Sequence, residues 1–596
     1  MAELRTELDD LERTLLTEIS RDELWRHATT LAQWEKISGT EGERRAVDYL
    51  HSQLDRFGFE TTLYEFESLL GWPEQAQLDL LEPDTGRVDA ITHSFVPSTP
   101  EAGIEGEVID LGSGEEADFA RGVRGKVCLI EGIASPLRVL RGSQAGAAAL
   151  IFANQDGPRI HEMCVSPVWG TPTTRTAALL PNLPAVSIRQ ADGERLRSLV
   201  ARGRLRVRLT TRTFWGWRIT PLLVGELKGQ VDPEQFVLFS GHHCSWYVGA
   251  MDNGTANATM LEVARVLAGH RDRLHRSVRI AFWPGHTQGR YSGSTWYFDH
   301  FWEDLHDNCV LHINADSTGA RGASIYRALS MAETREFAVT AIRDAIGAEA
   351  EPERQSRAGD QSFWGCGVPS IYMDLSQVPP EMAARQGSSG LFTAAGEPER
   401  RQPGGLPWWW HTADDTIDKI DPEVLERDTR VYLLATLRAA TAPVLPFRYQ
   451  GAAREIRETL ERYREAAAGR LDLEPAVARA ARVERRAAEV DRLLDGLSPE
   501  PDPGRAAAIN RALQEMDREL VLVNFTAQGP FDQDLAIPVP PVPLLEPVRR
   551  LAGLDPASDE ARFLATELLR NRNKVVYHLR LAERAGERAA HLLESP

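Results

Sequence analysis

A short apolar run that ends in two adjacent histidines constrains the fold of this chain more than any other segment. The run from Phe236 to Ser240 reads FVLFS, the β-branched and aromatic composition of a buried strand in a parallel sheet. His242 and His243 close it, Asp252 follows after a short loop, and residues 255–268 have the apolar spacing of a helix. Ligands of open α/β sheets bind just beyond the carboxyl ends of the strands. An imidazole and a carboxylate at such an end predict a site for a divalent metal ion.

The composition of the 596-residue chain disfavours several other classes of protein. Its net charge of −19 disfavours a nucleic acid or an anionic membrane as a partner. The five cysteines are scattered and odd in number, without the CxxC spacing of a zinc ribbon. The first residues lack the apolar region of a secretory signal, and no apolar run is long enough to cross a bilayer. We therefore expect a cytoplasmic protein.

The order of patterns along the chain predicts three domains. Strand-like and helix-like segments alternate in residues 1–75 and 214–445, which predicts an α/β domain whose sheet is covered on both faces. Residues 76–213 are rich in Val, Ile, Gly and Pro, with short strand-like runs, and predict a β-rich insert. The insert has no cluster of ligand-type residues, so we expect it to act as a lid or to shape the substrate pocket at most. Residues 446–596 have helical periodicity and predict a helical domain.

Two further residues share the chemistry and the predicted position of His242 and Asp252. Asp316 follows the strand-like run 310–314, and His411 follows three consecutive tryptophans. Two imidazoles and two carboxylates suit Zn²⁺, with Mn²⁺ and Fe²⁺ as alternatives. The sequence therefore predicts that these four side chains converge on a cation.

Five segments, in order, resemble the motifs of the co-catalytic zinc exopeptidases, a family that includes bacterial zinc aminopeptidases, glutamate carboxypeptidase II and the transferrin receptor. The segments are SGHHCSW…GAMDNGTANATMLEVARVLA, RIAFWPGHTQGRYSGSTWY, HINADSTG, GDQSFWGCGVPSIYMD and WWWHTADDTID. The resemblance implies a zinc-exopeptidase core with a mixed sheet between helices. It also implies a protease-associated (apical) domain at 76–213, and a helical dimerisation domain at 446–596 that forms a homodimer.

By position, the resemblance also implies the ligands of two metal ions. His242 and Asp316 hold the first ion, Asp252 bridges to the second, and His411 holds the second. In this family the metal activates water for attack on an amide bond. The implied substrate is a small molecule or a short peptide-like compound.

The sequence departs from the family pattern at three positions. The segment 285–289 usually contains two adjacent glutamates, a general base followed by a ligand of the second metal, but here these are His286 and Thr287. The residue two after the first histidine is usually an aspartate that orients it, and here it is Cys244. Threonine is a poor zinc ligand, so we expect the second site to be weakened or empty unless His286 turns in to fill it. Of one or two ions per chain, we favour one.

The residues now present at these positions have several possible roles. An unperturbed imidazole titrates near neutral pH, so His286 is a candidate catalytic base, or a further metal ligand. The loss of a carboxylate makes the site less negative, which favours an anionic substrate and an amide outside the usual range of the family. Cys244 is compatible with a soft ligand or supporting role, with a nucleophile, and with a small inert buried residue.

Four other residues are candidates for supporting or substrate-binding roles. Asp360, in the GDQSF segment, either supports a metal ligand or stabilises a turn. Arg290 and Tyr291 follow the changed pair, and they either contact the substrate or take part in structural ion pairing. Trp410 either lines the substrate pocket or packs in the interior.

Three functions fit these residues. The first is a metal-dependent hydrolase of an amide C–N bond, aminopeptidase-like or carboxypeptidase-like. The second is a non-catalytic binding or scaffold protein that keeps remnants of an ancestral site, and the third is a single-metal lyase, cyclase or transferase. We favour the hydrolase, because four of the five metal-ligand positions keep competent residue types and the changes concentrate on the glutamate pair.

Overall fold

The computed structural model describes residues 8–384, 404–499 and 501–594. Its strands, β1 to β14 in chain order, are Glu60–Glu82, Gly86–Val88, Ala90–Ile91, Ile104–Asp110, Val127–Glu131, Ala149–Ala153, Ala185–Ile188, Arg206–Leu227, Asp232–His242, Arg276–Trp283, Cys309–Asn314, Ile325–Ser330, Glu351–Arg354 and Ser370–Gln377. Its α-helices are Asp10–Thr17, Arg21–Leu31, Glu41–Phe57, Glu116–Phe119, Pro136–Ala145, Gln190–Arg202, Ala256–Gly269, Ser292–His300, Trp302–Asn308, Arg335–Ile346, Pro422–Thr441, Gln450–Ala466, Glu474–Asp495, Pro503–Phe525, Val548–Gly553 and Asp559–Glu594.

The central half of the sheet is mixed and buried. Strands β10, β9, β11 and β14 lie side by side and run parallel, whereas β8 at one end and β12 at the other are antiparallel to their neighbours. Side chains of a strand alternate between the two faces. In β9, Val237 and Phe239 therefore join one apolar cluster, and Phe236 and Leu238 join another on the opposite face.

Helices cover both faces of this half. Helix Ala256–Gly269 packs between Glu41–Phe57 and Pro422–Thr441 on the face of Val237. Helices Ser292–His300 and Trp302–Asn308 pack on the face of Phe236. The helices leave the carboxyl ends of the parallel strands free for loops, which carry the polar residues described below.

The segment between the two parts of the core forms a second set of strands. Strands β4, β5, β6 and β7 run parallel, and β4 joins the central sheet by pairing with residues 206–209 of β8. Strands β1 and β8 pair antiparallel along almost their whole length and pass from the central half into this region. The insert is therefore attached to the core through a long two-stranded ribbon.

The α/β fold class is confirmed by this architecture. The strand predicted at 236–240 is the centre of β9, and the helix predicted at 255–268 is observed as Ala256–Gly269. Beyond residue 445 the described elements are helical, as the periodicity predicts. No helix within the described ranges is long and apolar enough to cross a membrane.

Candidate metal centre

Three of the candidate residues follow neighbouring parallel strands. His242 is the last residue of β9, His286 comes three residues after β10, and Asp316 comes two residues after β11. Pairing sets Trp283 of β10 opposite His242, and Asn314 of β11 opposite Ser240. Adjacent strands lie about 4.8 Å apart, so the three loops that follow them meet at one point.

All four residues predicted as metal ligands lie together. The Nε2 atom of His242 is 3.1 Å from Oδ1 of Asp252 and 3.5 Å from Oδ2 of Asp316. The other oxygen of Asp252, Oδ2, is 3.1 Å from Nε2 of His411. One carboxylate thus faces two imidazoles through two different oxygens, as expected of a ligand that bridges two cations.

The ring of His242 is held with one nitrogen directed at these carboxylates. Its Nδ1 lies 2.8 Å from the backbone carbonyl oxygen of Cys244, which fixes a proton on Nδ1. Its Nε2 is buried and makes no hydrogen bond of acceptable geometry within the described protein. A carbonyl on one imidazole nitrogen and a free lone pair on the other are the usual state of a metal-ligating histidine.

The charges of the cluster call for a cation. Burial opposes protonation of His242, but the carboxylates of Asp316 and Asp252 outweigh it and raise the pKa of His242 well above its usual range. Burial likewise opposes ionisation of Asp252, but the two histidines hold its pKa well below the usual value. Positive charge between these groups is therefore favourable, whether a proton or a metal ion supplies it.

Two side chains brace the loops that carry the cluster. Asn253 donates from Nδ2 to the carbonyl oxygens of His242 and Ala315, both at 3.1 Å, and its Oδ1 accepts from the backbone N–H of Ser317 at 2.9 Å. Asp415 accepts from the backbone N–H of Asp252 at 3.0 Å. The loops after β9 and β11 are thereby joined to the turn that presents Asp252.

His286 lies against the first histidine of the cluster. The two rings stack, with centroids 3.8 Å apart and an angle of 20° between their planes. The Nδ1 of His286 is 2.7 Å from Oδ2 of the fully buried Asp360. The other oxygen of Asp360 accepts a hydrogen bond from the hydroxyl of Ser294 at 2.8 Å. Because the carboxylate of Asp360 accepts a hydrogen bond from the Nδ1–H of His286, Nε2 is the nitrogen that is free to act as a base or ligand.

The second histidine, His411, is held by the insert. Its Nδ1 lies 2.6 Å from the carbonyl oxygen of Glu162, and its own carbonyl accepts from the Glu162 N–H at 3.0 Å. The buried His161 adds a bond from Nδ1 to the carbonyl oxygen of Trp410, at 2.6 Å. The expectation that the insert is a lid or a shaping element at most is therefore too narrow, because insert residues also hold a member of the cluster.

Cys244 and Thr287 pack behind the cluster. The sulfur of Cys244 is 4.0 Å from Nδ1 of His242 and 3.5 Å from the hydroxyl oxygen of Thr287, and both side chains are buried. The backbone of Cys244, rather than its thiol, makes the short contact with His242. Both residues therefore lie beside the cluster, and a ring nitrogen of His286 lies within 4.8 Å of ligand atoms of His242 and Asp316.

The three candidate substrate contacts lie around His286 and His411. Tyr291 is buried, meets His286 edge to face at 4.7 Å and stacks on Trp169 of the insert at 3.9 Å. Arg290 is half-buried beside Tyr291. Trp410 is buried and stacks on the ring of His411 at 3.6 Å, so it offers little surface to a ligand.

The donor set fits a divalent metal ion. In the ranges that the structure describes, one group of three or more His, Cys, Asp or Glu side chains has ligand atoms within 4.8 Å of one another, namely His242, His286 and Asp316. Asp252 completes this group through its contact with His242. Imidazoles with two carboxylates suit Zn²⁺, and the buried lone pair of His242 requires a proton or an ion.

The donor set lies within a segment of the chain that matches a known peptidase family. Residues 223–436 match the model of peptidase family M28. The matched range contains all four predicted ligands and His286.

Other comparisons find similar proteins along more of the chain. A probable glutamate carboxypeptidase of Zea mays is 25% identical over 501 residues, which cover 71% of this chain and 67% of the relative. A leucine aminopeptidase 2 of Arthroderma otae is 24% identical over 431 residues, 68% of this chain and 80% of the relative. An aminopeptidase from Aneurinibacillus sp. strain AM-1 has a similar fold, with a TM-score of 0.54 at 18% identity over 72% of this chain and 96% of that structure. The predicted resemblance to zinc exopeptidases is confirmed.

Proposed function

We propose that this protein is a metal-dependent hydrolase that cleaves an amide bond in a peptide or a peptide-like small molecule. The observation that carries the proposal is the buried Nε2 of His242, which faces the carboxylates of Asp252 and Asp316 and lacks a hydrogen bond. The match to the model of peptidase family M28 supports it independently.

The residues define one strong and one weak cation position. His242, Asp252 and Asp316, with His286 beside them, would hold the first ion, and Asp252 with His411 would hold the second. We propose Zn²⁺ in the first position, with Mn²⁺ or Fe²⁺ as alternatives. A divalent cation bound there would polarise the substrate carbonyl and lower the pKa of water.

His286 is proposed as the general base that replaces the usual glutamate. The bond from Nδ1 to Asp360 leaves Nε2 as the proton acceptor and stabilises the imidazolium that forms when it takes a proton from water. The same nitrogen would then return the proton to the leaving amine. The stacked His242 and the edge of Tyr291 limit rotation of the ring.

Metal analysis combined with an activity screen tests this proposal. The full-length protein, expressed with added zinc, is expected to contain between one and two equivalents of zinc. It is expected to release amine from a panel of amino-acid p-nitroanilides or from N-acylated dipeptides. The first set reports aminopeptidase activity and the second carboxypeptidase activity. Bound zinc without hydrolysis in either panel favours a lyase, cyclase or transferase, and absence of bound metal favours a non-catalytic scaffold.

We also propose a homodimer formed through the C-terminal helical domain, a protease-associated role for the insert, and a cytoplasmic location. The helix Asp559–Glu594 supports the dimer, because Phe563, Leu569 and Tyr577 on it are exposed apolar residues. The location is supported by the five cysteines, which are all buried and free. Light scattering of the purified protein tests the dimer: a monomeric mass at micromolar concentration contradicts it.

A further inference from the structure

We propose that Arg290 is a binding residue for a carboxylate group of the substrate, so that the preferred substrates of this enzyme are anionic. This inference deepens the proposed function and depends on it for the position of the substrate. The charge preference itself is measurable without hydrolysis.

Arg290 lies close to the proposed base. Its guanidinium carbon is 4.8 Å from the centre of the Tyr291 ring, and that centre is 4.7 Å from the centre of the His286 ring. The guanidinium is therefore within 9.5 Å of the His286 ring, the sum of the two distances. If the scissile amide of a peptide-like molecule lies at the metal cluster, the groups next to that amide lie within reach of this guanidinium.

The charge of Arg290 is not neutralised within the described protein. Its side chain makes one long hydrogen bond, 3.4 Å from Nη2 to the carbonyl oxygen of Ala536, and forms no ion pair with a described carboxylate. Its Nε is buried and has no acceptor among the described residues. A partly buried charge without a partner is unfavourable. The chain has 87 acidic and 68 basic residues, yet no described carboxylate pairs with Arg290.

Arg357, on the far side of the same aromatic stack, provides a contrast and a second positive charge. Its guanidinium lies 3.7 Å from the centre of the Trp169 ring, which stacks on Tyr291. It is buried and bonded to neutral acceptors, the side-chain oxygen of Gln533 and the carbonyl oxygens of Gln361 and Asp534. Three hydrogen bonds thus hold the Arg357 guanidinium in place, whereas that of Arg290 makes a single long one, and the Nε of each arginine is buried without an acceptor among the described residues.

The planar guanidinium fork matches the two oxygens of a carboxylate. Peptide-like molecules carry carboxylates at their C-terminus and on acidic side chains. The replacement of a glutamate pair by His286 and Thr287 acts in the same direction, because it removes negative charge that would repel such a group. The geometry therefore assigns the carboxylate to Arg290 and the scissile amide to the metal cluster.

Calorimetric titration with a matched pair of probes tests the assignment. N-acetyl-L-glutamate and N-acetyl-L-glutaminamide have nearly the same shape, but the second has a neutral amide in place of each carboxylate. The full-length protein is expected to bind the glutamate compound more tightly by roughly tenfold, the size expected for a charge-assisted hydrogen bond. Arg290→Gln is expected to abolish this difference. Arg290→Lys is expected to keep part of it, and it provides a second test if Arg290→Gln is unstable. Arg175→Gln is the matched control, because Arg175 is an exposed arginine already paired with Asp532.

Each outcome decides the assignment. Equal binding of the two probes by the wild type overturns it, as does a preference that survives in Arg290→Gln. A preference that disappears after chelation of the metal but persists in that variant indicates coordination by the cation and also overturns it. A loss of binding of both probes to the same degree shows that Arg290 shapes the pocket without selecting charge. Absence of hydrolysis together with the expected charge preference contradicts the proposed reaction alone.

Discussion

The Nδ1 atom of His286 is 2.7 Å from Oδ2 of Asp360, a contact that joins the loop after β10 to the loop before β14. Burial opposes ionisation of Asp360, but the imidazole of His286 outweighs this and lowers the pKa of the carboxyl group below its usual value. The carboxylate therefore remains charged, and it fixes the proton of His286 on the nitrogen that faces away from the cluster.

Replacement of Asp360 by asparagine is expected to lower kcat by about 10- to 100-fold with little change in KM. The neutral amide keeps the shape of the carboxylate but stabilises the imidazolium less. Initial rates on the best amide from the activity screen measure the effect. Asp418→Asn is the control, since that carboxylate lies on the surface. An unchanged kcat in Asp360→Asn shows that His286 does not transfer the proton.

Zinc is expected to stabilise the metal-free protein against heat. An ion that binds only the folded chain adds about 2.7 kcal/mol at a hundredfold excess over its dissociation constant. Differential scanning calorimetry of the chelated protein, with and without zinc, measures this as a rise in Tm. The rise is expected to vanish in Asp316→Asn and to persist in Asp414→Asn, an exposed neighbour of the site. Persistence in Asp316→Asn contradicts the proposed ligand set.

The insert is expected to control the affinity of the second cation. Replacement of His161 by phenylalanine removes the bond to the carbonyl of Trp410, which costs about 1–3 kcal/mol of stability. It also loosens the loop that presents His411, so the weaker zinc dissociation constant is expected to rise about tenfold. Zinc titration of the chelated protein measures both constants. The exposed His300→Phe is the control, and a change in the tighter constant alone would contradict the role of the insert.

Acid is expected to destabilise the insert through His93. Burial lowers the pKa of His93 to about 3, and its Nδ1 accepts a hydrogen bond from the backbone N–H of Met163. The unfolded chain binds this proton near pH 6.5, whereas the folded chain does not. The contribution of His93 to stability is therefore fully present above that pH and is lost as the pH falls towards 3. The residue thus accounts for about 2 kcal/mol of the loss between pH 7 and pH 5. Urea titrations at both pH values should show a smaller loss in His93→Gln, and an equal loss contradicts the assignment.

The strand ends could be predicted from the sequence because parallel strands impose a simple geometry. Residues 236–239 before His242 are apolar at every position, which marks a strand buried on both faces. The residues that follow such strands meet at one edge of the sheet. That rule is enough to bring Asp316 to His242. The GDQSF segment left two roles for Asp360, support of a metal ligand or a turn, and the structure shows that it contacts His286.

The contacts that the sequence did not reveal are made through the backbone or across domains. The carbonyl of Glu162 holds His411 from 249 positions away in the chain, and a carbonyl has no residue-type signature. The same is true of Cys244, which supports His242 through its backbone oxygen. The stack from Tyr291 to Trp169 to Arg357 joins residues of the core and the insert, and only the folded chain shows their order.

Restoration of the usual glutamate pair is expected to convert the weak cation position into a strong one. Thr287 is buried against Cys244, and the position of the second ion has only Asp252 and His411 as ligands among the described residues. A carboxylate at 287 adds a third ligand, and a glutamate at 286 restores the charge that the histidine lacks. The double variant His286→Glu, Thr287→Glu should bind two equivalents of zinc and cleave simple amino-acid p-nitroanilides faster than the wild type. Thr287→Gln is the control, because an amide of the same length adds bulk without charge. If the double variant binds no more zinc than this control, the weakness of the second position has a cause other than the lost glutamate.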